Sequence, residues 1–112
     1  MLEHVTGRWG SLVLAALEDG PVRFNDLRRR VDGVSQKVLA QTLQALERDG
    51  FICRHQLSVF PLRVEYTLTP EGQVVSTKLL DLIAQVEAGM ASVLASRQRY
   101  DSNTRAEDAA SA

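Results

Sequence analysis

Apolar positions in this chain follow two different rhythms, separated by Gly50. Before it, Trp9, Leu12, Val13, Ala16 and Leu17 recur at the three-to-four-residue spacing that puts side chains on one face of a helix. Asp19-Gly20-Pro21 then supplies a stop, so a first helix is predicted over residues 8–18. Pro21-Val22-Arg23 has room only for a short extended piece. Phe24, Leu27 and Val31 space out a short second helix that ends at Asp32-Gly33. Ser35 stands as an N-cap for a third helix, whose apolar stripe is Val38, Leu39, Leu43 and Leu46. Two helices joined by Val31-Asp32-Gly33-Val34 make a helix-turn-helix candidate.

After Gly50 the period shortens. Residues 51–56 and 63–68 are rich in β-branched and aromatic side chains and flank a loop, Leu57 to Leu62, that contains Pro61. This predicts a hairpin. Thr69-Pro70-Glu71-Gly72 offers a Thr cap, a proline at the first helical position and an acid in the first turn, which starts a long final helix running to about Ser96. Residues 100–112 hold small and polar side chains and are expected to form a disordered tail after a single domain at 1–99. The fold class expected is mainly α with a small antiparallel β-hairpin: a winged helix-turn-helix with a long C-terminal dimerisation helix.

Composition narrows the function. With 112 residues, 45% of them hydrophobic, the chain can build one compact core. No stretch approaches the ~18 uninterrupted apolar residues of a membrane span, and the first residues lack the apolar core of a signal peptide, so a cytoplasmic protein without a membrane partner is expected. The net charge of −1 argues for no particular partner, but residues 20–63 carry eight basic side chains against four acidic ones, a local +4. Local positive charge is the footprint that phosphate binding requires.

Five segments carry a family likeness: Gly7-Arg8-Trp9, Arg23-Phe24-Asn25-Asp26-Leu27, Val34-Ser35-Gln36-Lys37-Val38-Leu39, Leu46-Glu47-Arg48-Asp49-Gly50-Phe51, and Val64 through Gly72. In this order and spacing, from about Val5 to Ala95, the chain resembles the HxlR-type family of bacterial winged-helix regulators. The resemblance implies a homodimer that binds an inverted-repeat operator in double-stranded DNA and represses or activates nearby genes, often in response to electrophiles or oxidants. Many redox-sensing members carry a cysteine shortly before the Gly-x-Trp segment. This chain has none there, and its N-terminus is expected to be shorter than is usual for the family, so the sensing mechanism is not simply carried over from the resemblance.

On the third helix, the residues opposite the apolar stripe are Gln36, Lys37, Ala40, Gln41 and Gln44, with Ser35 at the entry. Gln and Lys have the donors and acceptors to read base edges, and Ala40 permits close approach or contact with a thymine methyl group. An ordinary solvated helix face has the same composition; its place directly after a helix turn favours DNA. Asn25 and Arg28, at the second helix, and Arg54 and Arg63, on the hairpin, are the expected backbone contacts. At least one arginine of the Arg28-Arg29-Arg30 run should instead pair with Asp26 or Asp32.

Val75, Leu79, Leu82, Val86 and Val93 form a heptad-like seam on the final helix, and with Met90 and Trp9 they are the expected dimer interface. The alternative is that these stripes bury intramolecularly, with Trp9 as a core residue. Cys53, the single cysteine, excludes an internal disulfide and is expected to share a strand face with Phe51 as a buried, inert thiol, a redox role being the alternative. His4 and His55 lack acidic partners at ligand spacing, so no metal and no cofactor are assigned, and no nucleophile–base arrangement supports an enzyme. A small-molecule effector of unassigned chemistry is a further candidate partner. The competing function is a protein-interaction module that uses the outer face of the third helix for docking.

Overall fold

The computed structural model describes the backbone of residues 2–111 and the side chains of residues 2–108. Its elements are α1 (Leu2–Thr6), α2 (Arg8–Ala16), β1 (Val22–Arg23), α3 (Phe24–Arg30), α4 (Gln36–Arg48), β2 (Ile52–Ser58), β3 (Arg63–Leu68), α5 (Pro70–Ala88) and α6 (Met90–Ser111). The three strands form one antiparallel sheet in the order β1-β3-β2. The chain divides into two compact units, Met1–Leu80 and Asp81–Ala112.

The first unit is built as the apolar rhythm requires. Val13, Leu14 and Leu17 from the α2 region, Leu27 from α3, Leu39, Leu43 and Leu46 from α4, and Ile52 from β2 are all buried in one cluster. Removing side chains of this size from water stabilises the fold by about 1.5–3 kcal/mol each. α2 ends two residues earlier than expected, because Leu17 already caps it and the chain turns through Asp19 toward Gly20. The short helix α1 was not visible in the apolar pattern: within its five residues only Val5 is buried. A contact distant in sequence ties it down, His4 Nδ1 lying 2.6 Å from Oδ2 of Asp49 at the end of α4.

α5 starts as its sequence dictates. The Thr69 hydroxyl oxygen accepts from the Gly72 N–H at 3.0 Å and donates to the Gly50 carbonyl at 2.6 Å, joining the helix start to the turn before β2. Gly72 is required here by space, since a Cβ at this position would lie 1.9 Å from the Phe51 carbonyl oxygen. One turn further, the buried Ser76 hydroxyl donates to the Leu14 carbonyl at 3.1 Å.

The second unit holds the end of α5 and all of α6. The single long helix expected to Ser96 is interrupted at Gly89, a residue about 1 kcal/mol less favourable than Ala in a helix interior. The helix also continues where a disordered tail was expected, α6 reaching Ser111. Ala106, Ala109 and Ala110, with Arg105 and Glu107, favour the helical backbone without needing a core. From Asp81 to Asp108, every residue except Gly89 and Ala95 is exposed.

Candidate nucleic-acid interface

The helix-turn-helix is α3, the turn at residues 31–35, and α4. Val31 and Val34 anchor the turn in the core, while Gly33, with φ of +83°, takes the left-handed conformation that lets the chain reverse at low cost. Ser35 caps α4 as expected, its hydroxyl oxygen accepting from the Val38 N–H at 3.1 Å. With Leu39, Leu43 and Leu46 buried, the helical period sends Gln36, Lys37, Gln41 and Gln44 outward, and Ala40 is half-buried. Gln41 differs from the rest, because it also borders a shallow cleft that includes His4, Arg8 and Trp9.

The arginine run of α3 separates into three fates. Arg29 pairs with Asp26, as expected of one member, and Arg30 donates to the Ala16 carbonyl at 3.2 Å. Arg28 is exposed and has no hydrogen bond or ion pair among the described residues. It lies beside Asn25, the two lining a shallow concavity with Arg29.

In the hairpin, Arg54 is opposite Tyr66 and Arg63 is opposite Ser58, with an irregularity between Gln56 and Ser58. The two arginines are therefore not cross-strand partners, but they line the same concavity of about 470 Å³ together with Arg23, Phe24, Asn25 and Tyr66. Glu65, the acid that could have paired with them, stands in register with Arg23 and His55 instead. Arg23 was missed from sequence. Its signal was the basic start of Arg23-Phe24-Asn25, but only the two-residue pairing of β1 with β3 brings it to the wing. At the wing tip Val59, Phe60 and Leu62 are exposed, Phe60 at 93%.

Cys53 does not take the buried position expected of it. Ile52 faces the core, so alternation turns Cys53 to the other side of the sheet, opposite Thr67 and half-exposed, and Phe51 lies outside the strand. His55, two residues along on that same side, shares a 3.1 Å hydrogen bond with the Thr67 hydroxyl.

The seam expected for dimerisation is divided. Val75 and Leu79 pack against the core of the first unit, and so does the half-buried Trp9, with the Arg8 guanidinium 4.6 Å from its ring centre. Leu82, Val86, Met90 and Val93, in the second unit, are exposed together with Ile83 and Leu94. Among the described residues there is no group of His, Cys, Asp and Glu fit to hold a metal, and no single helix is long and apolar enough to cross a membrane.

A capped helix after a tight turn, a three-stranded sheet and a protruding hairpin define a winged helix-turn-helix protein. Residues 4–93 match the model of the HxlR-like helix-turn-helix family, and the chain belongs to that family. It is 54% identical over 97 residues to the HTH-type transcriptional regulator YtfH of Escherichia coli K12, covering 87% of this chain and 77% of that one. The solved structure of the YtfH regulator from Salmonella typhimurium is similar with a TM-score of 0.79 at 55% identity, over 87% of each chain. The reduced form of the transcriptional regulator YodB from Bacillus subtilis gives a TM-score of 0.67 at 31% identity, over 77% of this chain and 84% of that one. The protein is thus a helix-turn-helix transcriptional regulator of the HxlR type.

Proposed function

We propose that this regulator binds an inverted-repeat operator as a homodimer and represses transcription from it. The observation that carries the reading is the exposed polar stripe on a capped α4 that follows a tight turn; Arg28 on α3 and Arg54 and Arg63 on the hairpin, exposed and without an ionic partner among the described residues, add positive charge to it. In this reading α4 lies in the major groove, with Gln36, Lys37 and Gln44 reaching base edges, Ala40 allowing close approach, and Gln41 reading from the side nearer α2. Ser35 and Asn25 hold the entry of the two helices against the backbone, Arg28 contacts phosphate, and the wing brings Arg54 and Arg63 to the minor-groove side.

Dimerisation is assigned to Leu82, Val86, Met90 and Val93, exposed in the second unit. A two-fold pair is the simplest closed arrangement that covers such a stripe, and an inverted-repeat operator calls for the same symmetry. Occupancy of the operator excludes other proteins from the same DNA, which is the physical form repression takes. Such a protein acts in the cytoplasm, where the DNA is.

The test is a gel shift with the DNA upstream of the gene, at two salt concentrations. Retention that weakens steeply with salt supports DNA binding. Absence of retention at low salt favours the docking-module reading, with α4 as a partner surface. In a folded protein, replacing Lys37 and Gln41 together by Ala should cost about 1–3 kcal/mol per lost base contact; unchanged operator affinity would remove them from the reading face.

A further inference from the structure

The concavity beside the wing has features that a DNA phosphate would not use. Arg23, Arg54 and Arg63 converge on a space of about 470 Å³ with no acidic side chain in its lining. The side chain of none of the three makes a hydrogen bond or ion pair among the described residues. Three like charges held around one space raise the local potential, which an anion entering it relieves. Guanidinium groups are planar forks that match a carboxylate with two parallel hydrogen bonds.

The remaining walls are of another kind. Phe24 and Val64 present apolar surface, and Tyr66, only 7% exposed, lines the same space. The Tyr66 hydroxyl makes no hydrogen bond among the described residues, and its register partner Arg54 stands on the same face of the sheet. The ring is nearly buried while the hydroxyl itself stays open to solvent, free to donate to an anion held by the arginines. Cationic forks, an aromatic wall and an unpaired hydroxyl, in a volume within the range of small-molecule sites, together specify a ligand with a charged end and a flat apolar body.

We propose that this concavity binds a small aromatic carboxylate, and that this ligand competes with DNA for Arg54 and Arg63. The competition rests on the reading of those arginines as phosphate contacts; binding of the carboxylate does not. An effector of this kind would release the operator by occupying the charges that hold the wing to it.

Benzoate is the probe, with acetate as the anion lacking a ring and benzamide as the ring lacking a charge, all at one ionic strength. Calorimetry and NMR of the isotope-labelled full chain should show saturable benzoate binding, with shifts confined to the surroundings of Arg23, Arg54, Arg63 and Tyr66. Acetate and benzamide should each bind at least about tenfold more weakly, as should benzoate to R54Q, because a lost charge-assisted pair changes an equilibrium by that order. Y66F, which removes only the hydroxyl, should fold and bind benzoate more weakly. Equal responses to benzoate and acetate, or shifts scattered over the surface, would overturn the site.

Competition is read separately, on labelled operator DNA. Displacement by benzoate but not by acetate supports it, and a benzoate-saturated protein that keeps its DNA overturns it. A protein that binds benzoate at this site but never binds DNA would overturn the DNA reading and leave the pocket standing.

Discussion

The helix α4 and the helical residues 81–108 carry apolar side chains at similar spacings, yet the stripe of α4 is inside and that of the second unit outside. Leu39, Leu43 and Leu46 on α4 are buried against α2 and the sheet, whereas Leu82 and Val86 on α5 are 58% and 51% exposed. The difference is one of available partners. α4 meets β2, α1 and α2, which close around its stripe, while within the second unit nothing closes over Leu82, Val86, Met90 or Val93. A hydrophobic period therefore states that a face must be covered without stating by which chain. Contiguous exposed apolar surface of this kind marks an interaction site in a soluble protein.

Charging the exposed seam should have the largest effect. Leu82→Asp with Val86→Asp should leave the first unit folded but weaken self-association by about a hundredfold or more, because two carboxylates per protomer would have to be desolvated. Sedimentation equilibrium reads the effect; a dimer that persists would place the interface elsewhere. Next in size is Leu39→Ala, which opens a cavity in the closed core and should cost about 2–5 kcal/mol in denaturant unfolding. Leu94→Ala, on the exposed side, should cost under about 0.5 kcal/mol when measured on a monomeric background. Equal costs for the two would erase the distinction between the units.

A smaller effect separates the two kinds of arginine. Arg28→Ala and Arg63→Ala should each reduce the slope of log affinity against log salt by about 0.9 and weaken all DNA sequences alike. Arg29→Ala, which loses a bond to Asp26 within α3, should change the slope much less. A change in operator preference with an unaltered slope would make Arg28 or Arg63 a base reader.

The parts of this molecule legible in sequence are those set by local chemistry. Ser35 and Thr69 cap helices through hydroxyls that reach a backbone N–H three residues on, and such bonds depend on nothing distant. The strand rhythm after Gly50 likewise needed only neighbours. What escaped depends on contacts across the fold. α1 is held by His4 on Asp49, 45 residues away, and Arg23 reaches the wing only because β1 pairs with β3. Cys53 was assigned to the wrong side of its strand because the buried position belongs to Ile52, one residue earlier, and alternation then reverses every later side chain. The helix beyond Tyr100 escaped for a different reason: composition that cannot build a core can still satisfy its own backbone.

If two copies of this chain read two half-sites, the mass of the DNA complex must show both. Sedimentation of the protein with a labelled upstream fragment should give two protomers per bound site, with protection of two half-sites about one helical turn apart. A complex of one protomer with a single protected half-site, formed by a protein that sediments as a monomer at micromolar concentration, would contradict it.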